Sequence, residues 1–75
     1  MILYLRQGCH LCADAREVLA QVTARAGTGW TEVDVDDDAT LAQRYGELVP
    51  VVTVDGVQQG FWRLDPDRLL RALGS

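Results

Sequence analysis

Three features of the sequence predict an α/β fold. A short apolar run gives way to a helical pattern at Cys9-His10-Leu11-Cys12, the apolar period then changes from helical to alternating, and Asp55-Gly56 separates two further short runs rich in valine and glutamine. Read along the chain, they give the element order β-α-β-α-β-β-α.

Ile2-Leu3-Tyr4-Leu5 is a continuous apolar run closed by Gln7-Gly8, the pattern of a central strand buried on both faces. From Leu11 the apolar positions Leu11, Ala15, Val18, Leu19, Val22 and Ala26 recur at spacings of three and four, with Asp14, Arg16, Glu17, Gln21 and Arg25 among the residues between them. Gly27 and Gly29 end this helix. Trp30-Thr31-Glu32-Val33-Asp34-Val35 alternates with period two and reads as a strand. Reached through a crossover helix, it is expected to pair parallel with the first strand and complete a βαβ unit.

Asp36-Asp37-Asp38 is expected to end that strand and cap the next helix, where acidic groups complement the dipole. A calcium loop needs more oxygen ligands at wider spacing. Leu41, Ala42 and Tyr45 mark the inward face of a short helix that Gly46 can end, and Leu48-Val49 lead into Pro50. Val51-Val52-Thr53-Val54 and residues 57–61 flank Asp55-Gly56, the turn that best joins antiparallel strands. Asp65 then caps a last helix with Pro66 at its first position, Leu64 and Leu69 form a hydrophobic staple across its start, and the helix runs to Leu73 and stops at Gly74.

With 75 residues the chain is expected to fold as one domain, 1–75, around a small core. The apolar content of 48% and interspersed charges at 24% are those of a globular protein. A net charge of -4 and a pI near 4.6 argue against nucleic acid or an anionic membrane as a partner, since both need a basic face. Residues 1–5, largely apolar before Arg6, are too few for a signal-peptide core or a membrane span, so a cytoplasmic location is expected. Thiols are mostly held reduced in that compartment, and a disulfide there is transient and catalytic rather than structural.

Cys9 and Cys12 are the only cysteines. At a helix N-terminus, unpaired N–H groups and the positive end of the macrodipole favour a thiolate, which makes Cys9 the candidate nucleophile. One helical turn separates the two Cα atoms by about 5 to 6 Å, within disulfide range, so Cys12 can resolve what Cys9 forms. As a structural staple the pair would do little: a ring this short stabilises by at most about 2 kcal/mol. A zinc site needs four ligands, and His10, inside the loop, is the only other soft donor at hand. No resident metal or cofactor is expected.

The element order, the CxxC at the start of the first helix and the proline before the third strand resemble the minimal thioredoxin fold of glutaredoxins, with a four-stranded mixed sheet flanked by helices. Leu3-Tyr4 leading to Gly8-Cys9-His10-Leu11-Cys12, then Tyr45-Gly46 before Val49-Pro50-Val51, is similar in particular to the small bacterial glutaredoxin-like proteins long catalogued as a domain of unknown function. The likeness spans essentially the whole chain. It implies a cis Val49-Pro50 bond beside the CxxC, with the Val49 backbone offered to an extended thiol substrate.

It also implies a thiol-disulfide oxidoreductase acting on protein or glutathione mixed disulfides, with Cys9 attacking and Cys12 resolving. Glutathione is a possible cosubstrate, and glutathione or a thioredoxin-type protein the expected reductant. Two departures stand out. His10-Leu11 replaces the Pro-Tyr usual between glutaredoxin cysteines, and Gln59-Gly60-Phe61-Trp62-Arg63 replaces the Gly-Gly-acidic segment that holds the glutathione backbone, with Gly60 alone in partial agreement.

The expected substrate contacts are Arg6, His10, Val49, Pro50, Gly60 and Trp62. Arg6 and His10 are the cations nearest the cysteines in sequence and suit a thiolate or a carboxylate, while Trp62 suits a flat platform for a peptide. A monomer is expected. The competing reading is a redox-inactive adaptor, or a carrier whose cysteines ligate an iron-sulfur cluster.

Overall fold

The computed structural model describes residues 1–74. Strand β1 (Ile2–Leu5) runs between two partners: β2 (Thr31–Asp34), parallel to it, and β3 (Val51–Val54), antiparallel. Strand β4 (Val57–Phe61) pairs antiparallel with β3 and completes a four-stranded mixed sheet of order β2-β1-β3-β4. The helices are α1 (His10–Ala26), α2 (Ala39–Tyr45) and α3 (Pro66–Ala72), with a 3-10 turn over Val35–Asp37 between β2 and α2. This is the expected thioredoxin-like architecture.

Side chains alternate across the pleat and so divide the core in two. Leu3 and its register partner Val52 pack against Ala15, Leu19 and Val22 of α1 and Leu69 of α3. On the other face Tyr4 meets Val51, Val35 and Tyr45, the two tyrosine rings 4.7 Å apart. β1 is central as expected, yet of its residues only Leu3 is fully buried. Ile2 and Tyr4 stay half-buried because a seven-residue α2 covers less of its face than α1 and α3 cover of theirs.

Local chemistry accounts for the boundaries. Asp55 (φ 52°) and Gly56 (φ 80°) take the paired left-handed conformations that match the twist of a two-residue hairpin. Gly27, at φ 71°, ends α1 by donating its N–H to the Thr23 carbonyl. The Asp65 carboxylate accepts from the N–H groups of Asp67 and Arg68 and caps α3 behind Pro66.

Of the acidic triplet, Asp38 caps α2 through Thr40 and Leu41, whereas Asp36 turns to Arg6. Gly46 closes α2 in a right-handed conformation, φ -54°, so close approach rather than left-handed freedom selects it: a Cβ there would run into the Ala42 carbonyl. Among the described residues, no helix is long and apolar enough to cross a membrane.

Candidate functional site

Gly8, at φ 78°, turns the chain from β1 into α1 and delivers Cys9 to the N-cap position. Cys9 is extended there (φ -83°, ψ 111°), and its Sγ accepts the backbone N–H of Cys12 at 3.2 Å. The sulfur thus occupies the place that a serine or aspartate oxygen takes at an ordinary N-cap. Cys9 and Cys12 are joined as a disulfide with Cα atoms 5.4 Å apart. Their surroundings differ: Cys12 is 3% exposed, while Cys9 is only half-buried. An incoming sulfur therefore meets Cys9 first.

A cavity of about 410 Å³ opens beside the pair and brings Arg6, Cys9, His10, Cys12 and Arg16 together. Arg6 donates from Nε and one terminal nitrogen to both oxygens of Asp36, at 3.1 and 2.8 Å, and from the other to the Gly46 carbonyl at 2.9 Å. Three of its five N–H groups are committed, which fixes the segment entering the cysteine turn and leaves one hydrogen on each terminal nitrogen. The guanidinium bond holds the Asp36 carboxyl below the usual carboxylate range and in return raises Arg6. His10 is exposed at the start of α1.

Arg16 carries the matching pair on the other flank. Its Nε and a terminal nitrogen reach the two carboxylate oxygens of Glu32 at 2.9 and 3.0 Å, and the Trp30 indole N–H adds a bond to Glu32 at 3.1 Å. The Arg16 bond holds the Glu32 carboxyl below its usual range against the opposing effect of burial, with the Trp30 bond adding to it. Arg16 was not among the residues expected at the site. The available signal was its spacing, one helical turn beyond Cys12 on the same face.

The Val49-Pro50 bond is cis. Tyr4 pairs with Val51 across antiparallel strands, so Pro50 lies at the end of the sheet where β1 leads toward the cysteine turn. Val49 packs with the cluster around Val35 and Tyr45, and Pro50 is fully buried.

Trp62 holds this loop in place. Its backbone N–H donates to the carbonyls of Pro50 at 3.0 Å and Leu48 at 3.3 Å, and its indole N–H to that of Glu47 at 3.1 Å. It does so at φ 58°, a left-handed conformation uncommon outside glycine. The ring is half exposed and walls a groove of about 260 Å³ with Ala15, Val18, Leu64 and Leu11, one of the two residues between the cysteines. Gly60 stands apart, lining a cavity with Arg63 and Arg68 that shares no residue with the one beside the cysteines.

A dithiol pair at a helix N-terminus, set at the same end of a four-stranded mixed sheet as a cis-proline loop, defines a thiol-oxidoreductase-like module of the thioredoxin fold. The comparisons make the class specific. Residues 1–74 match the family model described as the glutaredoxin-like domain (DUF836), and the chain belongs to that family.

The chain is similar to uncharacterized proteins of Mycobacterium bovis and Mycobacterium tuberculosis, each 33% identical, with 89% of this chain and 74% of theirs covered. It is also similar to the structural-genomics target protein XcR50 from X. campestris. The X-ray structure of that protein aligns with a TM-score of 0.78 at 40% identity over 97% of this chain and 93% of its own. Its solution structure gives 0.76 at the same identity, over 97% and 90%.

Proposed function

We propose that this protein is a thiol-disulfide oxidoreductase whose nucleophile is Cys9 and whose resolving thiol is Cys12. The observation that carries the reading is the asymmetry of the pair: Cys9 Sγ caps α1, accepts the Cys12 N–H and is partly accessible, while Cys12 is buried one turn further on. In the reduced protein the same N–H and the helix dipole favour negative charge on Cys9.

The Cys9 thiolate attacks one sulfur of a substrate disulfide, forming a mixed disulfide and releasing the other half as thiolate. Cys12 gives up its proton and attacks Cys9 Sγ, closing the intramolecular disulfide and expelling the second substrate thiolate. Two electrons have passed from the pair to the substrate, and a thiol reductant such as glutathione or a thioredoxin-type protein restores the dithiol.

Lowering a thiol pKa from about 8.5 to about 6 raises its thiolate fraction at neutral pH roughly thirtyfold but reduces its nucleophilicity about thirteenfold. Attack gains only about twofold. The larger gain falls on Cys9 as the leaving group when Cys12 resolves the mixed disulfide.

In this reading the remaining N–H groups of Arg6 and the imidazole of His10 meet polar parts of the substrate, and the Val49 backbone before Pro50 receives an extended segment. Trp62 offers its exposed ring face to the substrate peptide beside Leu11, the substrates are protein or glutathione mixed disulfides, and the protein works in the cytoplasm as a monomer. Turnover of a protein mixed disulfide under dithiothreitol tests the roles. Cys9→Ser is expected to abolish it and Cys12→Ser to accumulate the mixed disulfide on Cys9, seen as a mass increment; equal residual activity in the two variants refutes the assignment.

A further inference from the structure

The cavity beside the cysteines is lined by three basic side chains, Arg6, His10 and Arg16, and by no acidic one, in a chain whose net charge is -4. Each guanidinium already carries one carboxylate, so the cavity offers an anionic ligand N–H donors through exchange of a partner rather than net positive charge. The two arginines are held differently. Arg6 holds the Gly46 carbonyl at the end of α2 as well as Asp36, so releasing it would break bonds to two segments. Among the described residues Arg16 bonds Glu32 alone, and both partners are exposed, 49% and 36%. Exposed pairs of this kind are weak, and exchanging one carboxylate for another changes little.

Arg16 also lies one turn beyond Cys12 on the same helix face, within the cavity that Cys9 and Cys12 line. We propose that Arg16 is a specificity-determining residue: its guanidinium leaves Glu32 for a carboxylate on a small disulfide seated in this cavity, so that carboxylate-bearing disulfides react in preference to neutral or cationic ones. Glu32 is the internal competitor for the same bidentate site. The inference rests on the exchange chemistry proposed above and leaves its bond changes as written, the Cys9 thiolate attacking the seated disulfide and a carboxyalkyl thiolate leaving.

Trp30 supplies a reporter, because its indole N–H bonds the Glu32 oxygen that Arg16 would abandon.

Three small disulfides vary the charge: 3,3′-dithiodipropionate is dianionic, bis(2-hydroxyethyl) disulfide neutral and cystamine dicationic; their leaving thiols differ in acidity, so each rate is divided by that for a small neutral reference thiolate. The second-order rate constant for oxidising the reduced protein, normalised in this way, is expected to fall in that order. Arg16→Gln should lower the dithiodipropionate rate about fivefold and bring its ratio to the neutral disulfide toward one, Arg16→Lys should keep part of the preference, and Glu32→Gln should raise it by up to about fivefold. About 0.5 M NaCl should shrink the preference in the unmodified protein. A preference that survives Arg16→Gln unchanged overturns the proposal.

A second arm needs no turnover. In a Cys9→Ser, Cys12→Ser, Trp62→Phe protein, whose remaining tryptophan is Trp30, 3,3′-dithiodipropionate should change the emission saturably, and not when Arg16→Gln is added. Saturable binding without reaction of the cysteine-intact protein refutes the exchange reading and keeps the anion site. Equal normalised rates for all three disulfides with no emission change refute the anion site and keep the exchange reading.

Discussion

Trp62 offers a test in which most of the energetic contributions cancel. Its φ of 58° puts a bulky side chain in left-handed backbone, a conformation that costs an ordinary L-residue about 1 to 2 kcal/mol and glycine almost nothing. Trp62→Ala and Trp62→Gly both remove the indole bond to the Glu47 carbonyl, and both remove the same half-buried ring. With about 100 Å² of ring returned to water at about 25 cal/mol per Å², plus one hydrogen bond, each loses about 3 kcal/mol through these shared causes. Only the backbone distinguishes them.

Alanine keeps the left-handed cost, whereas glycine relieves it but gives back about 0.4 to 1 kcal/mol through a freer unfolded chain. Trp62→Gly is therefore expected to be the more stable by about 0.5 to 1 kcal/mol, the reverse of the usual order in regular structure. Urea titration of the oxidised variants reads this as a higher midpoint at equal slope, and heating as a gap of roughly 2 to 8 °C. If alanine equals or exceeds glycine, the conformation assigned to Trp62, and with it the clamp on the Glu47 to Pro50 segment, is wrong.

Two further outcomes are expected. Asp65→Ala removes the acceptor for the Asp67 and Arg68 N–H groups and should lower stability by about 1 kcal/mol, with Asp65→Asn recovering most of it; a neutral Asp65→Ala would show that α3 is held by Leu69 burial alone. The Asp36 and Glu32 carboxyls are held low by Arg6 and Arg16, so their contribution is fully present above the unfolded carboxyl pKa near 4 and lost as pH falls through the folded values. Asp36→Asn and Glu32→Gln should flatten the acid limb of stability below about pH 4, and an acid limb as steep as the parent's in both variants would count against the pairs.

What could be read from the sequence was what neighbours in sequence decide. Asp55-Gly56 demands its turn wherever it stands, Asp65-Pro66 starts a helix by its own chemistry, and Cys9 meets the free N–H groups of α1 because it immediately precedes that helix. The cis Val49-Pro50 bond came from likeness to a family, since the local preference at a proline favours trans.

The remaining features depend on residues far apart in the chain. Nothing near Arg6 indicates that thirty residues later Asp36 takes its guanidinium, nor does the acidic triplet reveal that one member pairs across the fold while another caps α2. Arg16 looked like one more polar position between apolar ones until β2 brought Glu32 alongside. The aromatic Trp62 does not indicate in sequence that its N–H groups are committed to the loop, because the end of β4 passes beside residues 47–50 only once the sheet has formed.

The most direct measurement is the pH dependence of alkylation at each cysteine of the reduced protein, followed by mass spectrometry with limiting iodoacetamide. Cys9 is expected to be modified well before Cys12, with a midpoint below the ordinary thiol value of about 8.5. Alkylation of the two at equal rates, or a Cys9 midpoint at or above that value, would contradict a helix-capping thiolate as the centre of the chemistry.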